Sequence, residues 1–262
     1  MHSRSTPFLS AALLLGALLC SAAVGAAPPA HERFITAKHA ATEANYHNDQ
    51  TGLRAALAGF AALEADPDVG DHARYHAAWT EWMLAASKFQ EQQPAEAVAA
   101  LDSGADRLRQ VLAAHPDDGE AHALLAWMLM AVYSGDRNRA AEVVPLVREH
   151  RQRALARSPT SPRVVMLDAT MLFYSPQPEV RAKGLARWQE TLRLLETEKN
   201  ADPTLPDWGR TLADGWLANL YLTMNPPQPA EARLHAEKAL RERPDFWYVK
   251  TQVLPRIGSG SP

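Results

Sequence analysis

Cysteine is nearly missing from this chain. Among 262 residues there is one, Cys20, inside an N-terminal stretch that reads as a leader, so no disulfide is expected and stability has to come from packing. Glycine is sparse beside proline, 13 against 19, which favours sharply ended elements over flexible linkers. An excess of positive charge is missing too: 27 Lys and Arg stand against 30 Asp and Glu, interleaved on what read as solvated helix faces. A protein that lives on phosphate contacts needs a basic stripe, so nucleic acid is excluded as the expected partner. After the leader, the longest apolar stretch, residues 123–133, is well short of the ~20 residues a membrane-spanning helix needs and fits a core helix. Recognisable reaction chemistry is also lacking. The chain has no GxxxxGK, GxGxxG, GxSxG, CxxC or HExxH, and no strand pattern competes with its helical periodicity.

What is present begins with an export signal. Residues 1–26 combine a short basic start at Arg4, an apolar run over 8–20 and a small-residue end at Val24-Gly25-Ala26, the pattern a signal peptidase accepts. Cleavage is expected after Ala26, giving a periplasmic or secreted product. Bacterial lipoprotein signals resemble Leu-small-small-Cys, whereas Leu18 and Leu19 precede Cys20, so the sequence favours a cleaved, unlipidated N-terminus.

Residues 27–262 then repeat themselves. Pro67, Pro116, Pro159, Pro203 and Pro244 each follow a long amphipathic run, 41 to 49 residues apart, in related contexts such as Ala65-Asp66-Pro67-Asp68 and Arg243-Pro244-Asp245. Pro-Ala-Glu-Ala occurs at 94–97 and again at 229–232, each time where the second helix of a pair should start. Trp82-Met83-Leu84, Trp127-Met128-Leu129, Thr170-Met171-Leu172 and Leu220-Tyr221-Leu222 align near the ends of first helices. The expected architecture is all-α: about five helix pairs at 31–66, 70–115, 118–158, 161–201 and 207–243, with a C-terminal cap at 245–256. Longer spacings in the second and third units predict second helices there about two turns longer than in the last. Each pair has an apolar face it cannot bury alone, so the pairs should stack into one domain.

The pattern resembles the tetratricopeptide repeat (TPR), a helix-turn-helix unit of about 34 residues with small residues where helices cross and proline after the second helix. The last unit follows it best, with Trp216-Leu217-Ala218, Tyr221, Ala232, Ala239-Leu240 and Pro244. Residues 158–256 resemble, more narrowly, a group of exported bacterial TPR-like proteins to which no activity is assigned. That likeness is carried by Ser161-Pro162-Arg163, Leu172-Phe173-Tyr174 with Pro176, Pro206-Asp207-Trp208-Gly209, Asp245-Phe246-Trp247-Tyr248-Val249 and Leu254-Pro255. The resemblance implies an α-α superhelix, a scaffold and an exported location.

Several constellations invite chemistry. His39, Glu43 and His47 lie at i, i+4 and i+8 along one helix face, and His72 and His76 share that spacing. Two histidines and a glutamate spread over three turns converge poorly on one ion, so no metal and no cofactor is expected. Trp79, Trp82, Trp127 and Trp216 stand among Leu, Met and Ala, where packing between pairs is the expectation; an aromatic ligand box would need them on the concave side. Asp168 and Asp214 interrupt apolar first helices, where a carboxylate needs a partner. Arg163 and Tyr174 fall on one side of the fourth unit's first helix, and Trp208 opens the next unit beside it. Arg163, Asp168, Tyr174, Trp208 and Asp214 are therefore the candidate binding residues. The expected function is a non-enzymatic scaffold holding a protein or peptide in its concave groove. A small-solute binder is the alternative, favoured by an enclosed aromatic groove, and a hydrolase using the groove carboxylates ranks last.

Overall fold

In a computed structural model of the chain, which describes residues 27–259, no strand occurs among the described residues. Five antiparallel helix pairs follow one another: α1 (Ala30–His47) with α2 (Gln50–Ala61), α3 (Gly70–Gln90) with α4 (Pro94–Ala114), α5 (Gly119–Gly135) with α6 (Ala140–Arg157), α7 (Pro162–Phe173) with α8 (Pro178–Thr197), and α9 (Arg210–Thr223) with α10 (Pro229–Glu242). A π turn at Val249–Val253 leads into the closing helix α11 (Leu254–Ser259). The protein is thus an all-helical superhelix of stacked pairs. The leader and Cys20 lie outside the described residues.

Local chemistry sets these boundaries. Pro94, Pro162, Pro178 and Pro229 open α4, α7, α8 and α10, at a position whose N–H has no helical acceptor to lose. The Asp49 side chain accepts from the amides of Thr51 and Gly52, Asp118 from Ala121 and Ser161 from Val164, which caps α2, α5 and α7. The first pair ends at Ala61 rather than at 66, since residues 62–65 form turns and the Asp66 carboxylate then accepts from the amides of Asp68 and Val69. The α4 helix, with 21 residues, is two turns longer than the 14-residue α10. The α6 helix, with 18, exceeds it by about one turn, because Arg137–Arg139 form a 3-10 turn instead of its first residues.

First helices line the inside of the stack. Almost all of α7 is buried, from Pro162 to Thr170 and again at Phe173, as expected for a helix packed between neighbours on several sides. The superhelix also closes on itself. Trp79 of α3 stacks on Trp208, ahead of α9, with centroids 3.8 Å apart, and Trp82 of α3 meets Trp216 of α9 at 5.3 Å. The ends join through α1: Arg243 donates in a fork to both Glu43 oxygens at 2.8 Å, Tyr46 packs edge-on against Phe246, and buried Lys38 donates to the carbonyls of Pro203 and Leu205 and pairs with Asp207. A pairing across 200 residues turns an open groove into a central cleft.

Candidate functional site

The cleft is built from repeat-equivalent positions. Trp82 on α3, Trp127 on α5, Thr170 on α7 and Leu220 on α9 occupy the aligned place of the repeat, and all four line one cavity of about 230 Å³. Trp216 joins them one turn earlier on α9, Tyr174 just past the end of α7, and Trp247 and Tyr248 come from the C-terminal segment. Stacking brings equivalent positions side by side, and closure brings α9 back against α3.

The aromatic rings are in mutual contact. Trp82 meets Trp127 with centroids 6.2 Å apart at 37° and Trp216 at 55°, while Trp216 meets Trp188 of α8 nearly edge-on at 6.4 Å. They form a continuous aromatic wall. Around it stand Asn45, Asn48, Ser87, Gln90 and Asn219. Ser87 donates to the Asn48 carbonyl at 2.7 Å, and Arg256 donates to that of Asn219, which leaves both NH2 groups as available donors. The Asn45 and Gln90 side-chain amides bond to nothing among the described residues. None of the residues lining this cavity is Asp, Glu, Lys, Arg or His. Burial, then the neighbouring Tyr174, holds the Tyr248 phenol above its usual range, so it too is neutral. A second depression of about 600 Å³ shares Trp82, Ala86, Trp127 and Tyr174 with the first and continues past Phe89, Met130 and Tyr133.

The sequence candidates divide differently from the single patch expected. Tyr174 stands at the cleft rim, 58% exposed. The other four are buried. Arg163 donates to Glu120 at 2.8 Å, to Glu198 and to the carbonyl of Trp208 at 3.1 Å. Burial opposes its charge, but Glu120 and Glu198 outweigh this and hold the guanidinium protonated. Asp168 accepts from Arg151 at 2.6 Å and Arg187 at 3.3 Å, and Asp214 pairs with His235 at 2.8 Å and Lys238 at 3.3 Å. Neither aspartate lines the cleft. Trp208 lies flat against Trp79. Arg163 and Trp208 are thus neighbours in a buried network, while Asp168 and Asp214 each complete separate ion pairs.

Three tryptophans move the other way. Trp79 is buried as expected, but Trp82, Trp127 and Trp216 are only partly buried and face the cleft instead of packing wholly between pairs. Asn45, Asn48, Asn219, Trp247 and Tyr248 carried no sequence signal as site residues. The aligned register of Trp82 and Trp127 was the available clue, because residues equivalent in a solenoid share a face.

The histidines of these constellations pair or pack with other side chains. Glu43, His47 and Asp245 have ligand-capable atoms within 4.8 Å of one another, but Arg243 already takes both Glu43 oxygens and approaches Asp245 at 3.2 Å. His39 reaches Glu43 only at 4.0 Å. His76 is buried against Phe34, Phe60 and Tyr75, and burial followed by the charge of Lys38 pushes its pKa well down. Against models of known protein families and against curated proteins, the sequence finds no match.

Proposed function

We propose that this chain is an exported, TPR-like binding protein whose closed central cleft captures a small uncharged ligand. One observation carries the reading: an aromatic cavity at the axis of the superhelix is ringed by amide side chains and has no charged residue in its lining. Desolvating a charged ligand there without a counter-charge would be costly, whereas apolar faces and hydrogen-bonding edges are both accommodated. The leader pattern of residues 1–26 supports export.

Closure favours a small ligand over the longer peptide that an open repeat groove would hold. The Arg243–Glu43 fork, the Lys38 contacts and the Trp79–Trp208 stack bring the two ends of the solenoid together, and the cavity of about 230 Å³ with its adjoining depression of about 600 Å³ stays within the roughly 300–1,000 Å³ of pockets for small ligands. Binding is also favoured over catalysis, since the carboxylates of Asp168 and Asp214 are neutralised in ion pairs away from the cleft.

The test is native mass spectrometry of the mature chain after incubation with envelope extract. A small-molecule adduct that disappears in the Trp82→Ala, Trp127→Ala double variant is expected. Capture of a protein with no small-molecule adduct would contradict the reading.

A further inference from the structure

The chemistry of the cleft narrows the ligand class further, and this step rests on the small-ligand reading above. Three properties have to be met together. The ligand presents a flat apolar face, because Trp82, Trp127 and Trp216 form a wall of rings in contact. It presents several neutral hydrogen-bonding groups at its edge, because Asn45, Gln90 and the NH2 groups of Asn48 and Asn219 lack partners among the described residues. It carries no net charge, because the lining offers none.

Two alternatives meet only part of this. An acyl chain or a simple aromatic would cover the tryptophans but give the amide groups around them no partner, at a cost that approaches about 1–3 kcal/mol for each amide it buries. A quaternary ammonium is drawn to ring faces within about 6 Å, but it has no N–H to match the carboxamides and its charge meets no counter-charge in the lining. A pyranose ring meets all three requirements. Its axial C–H bonds form an apolar face with partial positive charge that suits the negative face of an indole, and its equatorial hydroxyls both donate and accept, matching carboxamide groups.

We infer that the cleft binds a neutral saccharide, with one pyranose ring on the Trp82–Trp127–Trp216 wall and its hydroxyls on Asn45, Asn48, Gln90 and Asn219. The adjoining depression, entered past Tyr174 and floored by Phe89, Met130 and Tyr133, gives a second ring of an oligosaccharide an apolar surface to lie on. Arg137 sits over the Tyr133 ring at 5.2 Å, so a cation stands at that outer end, and the Arg256 guanidinium is bonded to Asn219 beside the inner cavity.

The experiment is titration of the full mature chain, followed by tryptophan fluorescence and calorimetry. The probes are glucose, galactose, mannose and N-acetylglucosamine and their β- and α-linked disaccharides, with choline and a neutral dipeptide in parallel. Saturable binding of at least one saccharide is expected, with a disaccharide tighter than its monosaccharide. Trp82→Ala should weaken it at least tenfold, which corresponds to about 1.4 kcal/mol. Asn45→Ala and Gln90→Ala, at positions that are only partly buried or exposed, provide the same test in variants that keep the wall intact. Leu234→Ala, on the exposed outside of α10, should bind as the unaltered chain does. Binding of choline or the dipeptide with none of the saccharides would overturn the saccharide assignment and leave the small-ligand reading standing. Failure of every saccharide would overturn the saccharide assignment by itself, and failure of every small probe combined with protein capture from extract would overturn the small-ligand reading as well.

Discussion

Arg163, near the start of α7, and Tyr174, just past its end, have opposite surroundings. Arg163 is 4% exposed and holds Glu120 and Glu198; its removal leaves two partly buried carboxylates without a cation, a loss of about 3–5 kcal/mol for pairs of this kind. Tyr174 is a rim residue, and Tyr174→Ala should alter stability by no more than about 1 kcal/mol while weakening ligand capture. Urea unfolding of both variants checks this, and equal destabilisation would show that the Tyr174 ring is part of the core. The sequence indicated that Asp168 and Asp214 needed partners, since a lone carboxylate in an apolar helix is too costly. It could not say that Arg151, Arg187, His235 and Lys238 would supply them, because those residues are far along the chain or on the opposite helix of the pair.

Histidine chemistry fixes the pH dependence. His122 donates from Nε2 to the Pro116 carbonyl at 3.0 Å, so its Nδ1 accepts from His150 Nδ1 at 2.8 Å. Burial, then the repulsion that a protonated His122 exerts, lowers the His150 pKa from 6.5 to about 4, with Glu149 opposing and Arg153 and Arg109 adding to the fall. Between those values the unfolded chain binds a proton that the folded chain refuses. Stability should therefore be fully present above pH 6.5 and decline as the pH falls toward 4. His76, shifted in the same direction by burial, adds to the decline. Thermal melts from pH 7 to 4.5 should show it, and His150→Gln, which can still donate to His122 but does not titrate, should flatten part of the slope. A melting temperature independent of pH over that range would contradict the buried pair.

At the level of elements, the prolines and caps made most helix boundaries legible, because they act within a few residues of the chain. The packing between elements was less so. Gly184 shows why: a Cβ there would stand 2.6 Å from the Phe173 nitrogen, 2.9 Å from its Cα and 2.9 Å from the Ala169 carbonyl oxygen, all backbone atoms of α7 that cannot rotate aside. Nothing local distinguishes this helical glycine from one that merely lowers helix propensity. Gly184→Ala should gain up to about 1 kcal/mol of propensity and lose more by forcing α7 and α8 apart, since overpacking costs about 1–3 kcal/mol. The expected result is a lower urea midpoint at unchanged helicity by circular dichroism. A raised midpoint would mean that the two helices have room between them.

For the molecule as a whole, the repeat period made the stacked pairs legible but left the closure of the stack hidden. Closure depends on curvature accumulated over five pairs and on contacts such as Arg243 with Glu43 and Trp79 with Trp208, which no periodicity reveals. That is also why Trp82, Trp127 and Trp216 read as packing residues: in a straight stack they would have had no opposite wall, whereas in a closed one they face a shared cleft. The central claim is that this cleft is the binding site. It makes a specific demand on the chain's seven tryptophans. Trp82, Trp127, Trp188, Trp216 and Trp247 line the cavity, and Trp79 and Trp208 do not. The most direct measurement is a nitrogen–proton correlation spectrum of the indole groups, assigned by single Trp→Phe variants and recorded during titration with the tightest saccharide. The account predicts the largest shifts at Trp82, Trp127 and Trp216, with Trp208 nearly unmoved. Shifts centred on Trp208, or no indole shift at saturation, would contradict it.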